Sequence, residues 1–146
     1  MASVVSHPQR SGIHRRVTLG DAPLILVVDD AEEHRLPCAK YFESMNFRVE
    51  HAVDGEHALF KVMQFTPDVV VMALTLPVLD GWSAIEQMRA HPKMCSIPVV
   101  ALTVNATETC LNRAHDAGAD VVLAKPCTPE ELHVVVCDLL NPEKQE

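Results

Sequence analysis

Leu24-Ile25-Leu26-Val27-Val28-Asp29-Asp30 is an unbroken run of five apolar residues closed by two carboxylates. A strand with one wet face alternates apolar and polar residues. A strand with no polar position is covered on both sides, as parallel sheets require. The pattern returns along the chain. Val69-Val70-Val71-Met72-Ala73 follows Pro67, residues 97–102 lead to Thr103, and Val121-Val122-Leu123-Ala124 leads to Lys125-Pro126. Residues 47–52 alternate and read as a fifth strand.

Helical stretches separate these runs. Residues 32–45 form the first and close near Asn46, a residue that tolerates the left-handed conformation, while Pro37 sits awkwardly inside it. Asp54-Gly55 reads as a turn before a helix over 56–65. The helix over 82–91 places Trp82, Ile85 and Met88 on one face, and the helix over 106–117 stops at Gly118. The last helix carries a capping signature, with Thr128 at the N-cap, Pro129 next and Glu131 at the third position, and continues to about Leu140. Five strands alternating with five helices predict an α/β fold, a doubly wound five-stranded parallel sheet with right-handed crossovers. The domain is expected to span 23–141, flanked by a flexible, mildly basic N-terminal tail (1–22) and a short C-terminal tail (142–146).

The bulk numbers exclude several classes. The chain has 146 residues and a formal charge of -8, which argues against a nucleic-acid surface with its basic stripe. No apolar run approaches the roughly 20 residues of a membrane span. The N-terminus lacks an apolar signal core, so a cytoplasmic protein is expected. The five cysteines form no C-x-x-C pair and the eight histidines no H-x-x-x-H pair, so free thiols in a reducing compartment are expected rather than disulfides or zinc. No Gly-rich loop follows the first strand, which weighs against a flavodoxin-like enzyme or nucleotide binder.

Ligands of open parallel sheets bind at the carboxyl ends of the strands. Asp29, Asp30, Ala73, Thr103 and Lys125 all fall there. Singly, each has a plain reading: an acid pair favours a helix N-terminus, a threonine satisfies backbone groups, a lysine is a surface charge. Together they form a polar rim around one methyl group.

With these segments, and with Leu74-Thr75-Leu76-Pro77-Val78-Leu79-Asp80-Gly81 and Ala117-Gly118-Ala119-Asp120, residues 23–140 resemble the receiver domains of bacterial two-component response regulators. The resemblance implies a flavodoxin-like receiver fold and a phosphorelay signalling module rather than an enzyme. It implies an aspartate acceptor where Ala73 stands. Mg²⁺ would be held by Asp29, Asp30 and the backbone carbonyl of Thr75, while Thr103 and Lys125 would contact the phosphoryl group. Ala73 cannot accept phosphate and removes a metal ligand, so Mg²⁺ binding should weaken and Lys125 should turn to Asp29, Asp30 or water. The resemblance implies a sensor histidine kinase or phosphotransfer protein upstream. It implies a protein partner downstream, or a second copy, on the surface of the fourth helix, fifth parallel strand and fifth helix, here about residues 106–140. Asn105, Cys110 and Val122 are expected on that interaction surface; Val122 takes the place of the family's usual aromatic, and Val104 that of a small residue. The chain reads as a single-domain receiver. Ala73 is either an engineered replacement of the acceptor, which the otherwise intact site favours, or the mark of a natural pseudo-receiver that works as a phosphorylation-independent interaction module. The run from His133 to Cys137 either packs on the sheet or contributes to a partner surface.

Overall fold

The structure, a computed structural model, describes residues 4–6 and 22–141. Its elements run β1 (Val4–Ser6), β2 (Leu24–Val28), α1 (Glu32–Ser44), β3 (Arg48–Ala52), α2 (Gly55–Phe65), β4 (Val69–Ala73), α3 (Gly81–Ala90), β5 (Val99–Thr103), α4 (Glu108–Ala117), β6 (Val121–Ala124) and α5 (Pro129–Leu140). The sheet order is β1-β6-β5-β4-β2-β3, and the last five are mutually parallel. This is the expected doubly wound α/β sheet. The remaining parts of the expected tails, 1–3, 7–21 and 142–146, lie outside the described residues.

One strand was not anticipated from the sequence. Val4–Ser6 pairs antiparallel with β6, Val4 opposite Leu123 and Ser6 opposite Val122. Without it β6 would present a row of open N–H and C=O groups at the sheet edge. The short stretch has no period that could announce this pairing; the open edge of β6 recruits it.

Two cores sandwich the sheet. Leu26, Val28, Val70 and Met72 face α2, α3 and α4, where Ala58, Val62, Ile85, Met88 and Ala114 lie. Ile25, Val27, Val69 and Val71 face α1 and α5, against Phe42, Leu132 and Val136. The alternation of side chains along each strand therefore divides one apolar run between two cores.

Local chemistry sets the element ends. Asp54 is an N-cap rather than part of a free turn, its side chain accepting from His57 N at 2.7 Å. Asp80 does the same for α3 through Ser83 N at 2.8 Å. Thr128 and Glu131 form the expected capping box on α5. Asn46 takes φ 70° after α1 and Gly118 takes φ 115° after α4. Pro37 is accommodated on the exposed side of the second turn of α1. Arg89 reaches from α3 to the carbonyls of Gly118, Cys95 and Ile97 and to Asp120, whose carboxylate also accepts from Val99 N at 2.7 Å. That network anchors the strand starts, at the end opposite the polar rim.

Candidate functional site at the strand ends

Register assembles the rim. Val28 lies opposite Met72, Ala73 opposite Leu102, and Thr103 opposite Ala124, so the parallel strands end nearly level. Asp29 follows β2, Ala73 closes β4, Thr103 closes β5 and Lys125 follows β6.

Asp29 is 4% exposed and fully engaged. Its Oδ1 accepts from Ala31 N at 3.0 Å, and its Oδ2 accepts from Lys125 Nζ at 2.9 Å. Its backbone carbonyl accepts from Arg35 Nη1 at 2.8 Å, a buried bond. Lys125 Nζ also lies 3.4 Å from His34 Nδ1, and that nitrogen is 3.8 Å from Asp29 Oδ2. The peptide between Lys125 and Pro126 is cis, and Lys125 N donates to Thr103 O at 2.7 Å. Asp30 is exposed.

Ala73 is buried at 3% exposure and belongs to the apolar core shared with Leu74, Met72 and Ile85. Gly81 packs over its carbonyl, where an added Cβ would stand 2.4 Å from Ala73 O. Only glycine permits that approach. Thr75 lies exposed in the loop that follows. In the same loop Val78 holds φ 68° in a tight turn closed by Leu79 N on Pro77 O at 2.7 Å. Thr103 is buried, and its hydroxyl is spent on the next loop: Oγ1 accepts from Asn105 N at 3.0 Å and donates to Asn105 O at 3.2 Å.

The expected surface residues divide. Asn105 is exposed and Cys110 half-buried. Val122 is a correction: at 0% exposure it is core on β6, so it adds nothing to a surface. A central β-strand points alternate residues into the two cores, and position 122 faces α2, α3 and α4. Val104, by contrast, is 74% exposed beside the rim. Trp82 is packing, as its spacing suggests, half-buried on the core with the Arg113 guanidinium 4.2 Å above its ring. The run from His133 to Cys137 is split: Val136 is core, His133 packs edge-on against Tyr41, Phe42 and Phe47, and Val134 is exposed.

Two participants escaped sequence reasoning, His34 and Arg35. Both lie in the first turn of α1, which the short 29–31 connection folds back over the end of β2. The connection length was legible; which side of that turn faces the rim was not.

Position 73 offers no oxygen, and both oxygens of Asp29 already have N–H partners. Among the described residues no three His, Cys, Asp or Glu side chains gather as a metal cage. Hard cations need several oxygen ligands, and here the Lys125 ammonium supplies the positive charge instead. As arranged, the residues do not fit a magnesium centre.

Beside the rim, α1 and α5 leave a cleft of about 420 Å³ over β2, β4 and β5. Cys38 and Cys127 line it. Burial, then Cys127 and Asp29, push the Cys38 thiol up to about 12; burial and then Glu131 push Cys127 up to about 11.

Known proteins share this architecture. The receiver domain of a Francisella response regulator superposes with a TM-score of 0.77 at 29% identity, covering 84% of this chain and 99% of that one. The receiver domain of the sensor histidine kinase PA1611 of Pseudomonas aeruginosa, solved with a magnesium ion coordinated in its active-site cleft, gives 0.77 at 30% identity over 82% and 98%. The transcriptional regulatory protein PrrA of Mycobacterium leprae is 33% identical over 120 residues, 82% of this chain and 51% of PrrA. A gliding motility regulatory protein of Myxococcus xanthus is 35% identical over 101 residues, 69% of this chain and 13% of that protein. The chain thus spans about half of one of these curated relatives and about an eighth of the other. Residues 25–137, from the second residue of β2 into α5, match the response regulator receiver domain, and the chain belongs to that family.

Proposed function

We propose that this chain is a two-component receiver module that cannot be phosphorylated at the acceptor position and that signals by binding protein partners. One observation carries the reading: a methyl group occupies the buried end of β4, and Lys125 is paired with Asp29. No carboxylate is available at position 73 to form an acyl phosphate. Asp29, Asp30, the Thr75 carbonyl, Thr103 and Lys125 are the remnants of the transfer site, and Mg²⁺ binding is weakened to match. The module is cytoplasmic and non-enzymatic. Its counterpart with an acceptor takes phosphate from a sensor histidine kinase or phosphotransfer protein. The output face lies around α4, β6 and α5, between residues 106 and 140, and meets a protein partner or a second copy. Asn105 borders it, and Cys110 on α4 belongs to it. Because β1 occupies the outer edge of β6, partners meet the helices rather than the strand edge.

The test is to restore the acceptor. Ala73→Asp, incubated with acetyl phosphate and Mg²⁺, should gain a hydroxylamine-labile acyl phosphate, and the parent chain should not. Incorporation into the parent chain would overturn the reading.

A second reading, a natural phosphorylation-independent interaction module, is favoured by Val122 and Val104. The first is core where the family carries its inward-turning aromatic, and the second is 74% exposed beside the rim. On that reading folded Ala73→Asp stays unphosphorylated and partner binding ignores the phosphodonor. The codon for position 73 in the encoding gene separates an engineered alanine from a natural one.

A further inference from the structure

We propose that the cleft between α1 and α5 binds a small, neutral, largely apolar molecule with one hydrogen-bond-accepting head, such as a ketone. Its volume of about 420 Å³ lies within the roughly 300–1,000 Å³ of small-molecule sites. The walls are Val27, Val71, Leu102, Pro37 and the two thiols, Cys38 and Cys127. Both thiols stay protonated at neutral pH, so they act as apolar wall and not as nucleophiles. The ligand is therefore held without a covalent bond.

Asp29, Lys125, His34 and Glu33 are the cleft's polar lining, and the first three meet at one end, Lys125 Nζ 2.9 Å from Asp29 Oδ2 and 3.4 Å from His34 Nδ1. Both oxygens of Asp29 already accept N–H donors, from Ala31 and from Lys125, and the Lys125 charge beside it disfavours a cationic head. Lys125 has three N–H donors, of which Asp29 takes one, and its ammonium lies 3.4 Å from His34 Nδ1. The end thus presents donors whose positive charge Asp29 already balances. With exposed Glu33 nearby, an anionic head is disfavoured and a neutral acceptor fits. The same lysine belongs to the signalling rim, so occupancy would be felt there directly. Ligand binding by this cleft is independent of whether position 73 ever carried phosphate.

The probe is Prodan, a neutral naphthyl ketone whose emission shifts to the blue in apolar surroundings. Titration into the full chain should give a saturable blue shift at one site per chain. Cys38→Phe fills the cleft and should weaken binding at least tenfold, and Lys125→Met removes the donor and should weaken it severalfold. Phe60→Ser, on the exposed face of α2, should change nothing. Bound Prodan should also raise the Tm of the parent chain in proportion to its concentration, which needs no variant to fold. No saturable shift, no rise in Tm, full binding by folded Cys38→Phe or Lys125→Met, or loss of the shift in Phe60→Ser would overturn the assignment.

Discussion

Lys125 Nζ stands 2.9 Å from Asp29 Oδ2, a pair joining the end of β6 to the end of β2 across the rim. The side chains are 17% and 6% exposed, so each charge depends on the other for its solvation. Breaking such a pair leaves a buried charge alone, which costs more than the pair gains. Lys125→Met should therefore destabilise the fold by about 3 kcal/mol, and Asp29→Asn by a similar amount. The double variant should recover part of the sum. Urea unfolding of the four proteins measures the coupling, and strictly additive losses would show that the pair contributes nothing.

Restoring a carboxylate at position 73 should redirect the rim. Three acids would then compete for one lysine, and the excess negative charge favours a divalent cation. Calorimetric titration with Mg²⁺ should show binding by Ala73→Asp at least about tenfold tighter than by the parent, an effect on the order of 1.4 kcal/mol. Equal affinities would mean that residue 73 does not limit the metal.

Val78 is a β-branched residue at φ 68°, a region that such residues avoid and that glycine or asparagine enters readily. It is 73% exposed, so no packing offsets the strain. Val78→Asn and Val78→Gly should each stabilise by about 1 kcal/mol. Thermal denaturation would reveal it as a raised Tm.

His51 on β3 titrates below its ordinary value of 6.5, first because burial disfavours the imidazolium and then because Arg35 repels it. Its folded pKa is lowered, so below pH 6.5 the unfolded chain takes up the proton more readily than the native one. Stability is retained above that pH and falls as pH drops through 6.5 toward the folded value. His51→Asn should flatten the fall between pH 6.5 and 5, compared by urea midpoints across that range.

Cys38 should resist alkylation. With its thiol at about 12 against an ordinary 9.0, its thiolate fraction at pH 8 is lowered on the order of a thousandfold. Mass-resolved labelling with iodoacetamide should find Cys95 and Cys110 modified well before Cys38 and Cys127, and unfolding should erase the difference.

Much of this was readable without coordinates. The unalternating runs at 24–28, 69–73 and 121–124 specify covered parallel strands because any wet face would strand their side chains in water. Thr128, Pro129 and Glu131 announce a helix start through local hydrogen bonding alone, and Asn46 and Gly118 announce helix ends. That Asp29, residue 73, Thr103 and Lys125 share one rim follows from strand polarity, which no side-chain detail alters. Tertiary structure alone decided the rest. Which carboxylate Lys125 chooses, where His34 and Arg35 land, and that Thr103 turns to Asn105 depend on how α1 and the β5–α4 loop settle over the strand ends. Val122 lies inside, and Val4–Ser6 joins the sheet, because pleat direction and an open edge are properties of the assembled sheet. Local sequence encodes backbone preference and periodicity; contacts between residues 96 apart, such as Asp29 and Lys125, exist only once the chain has closed on itself.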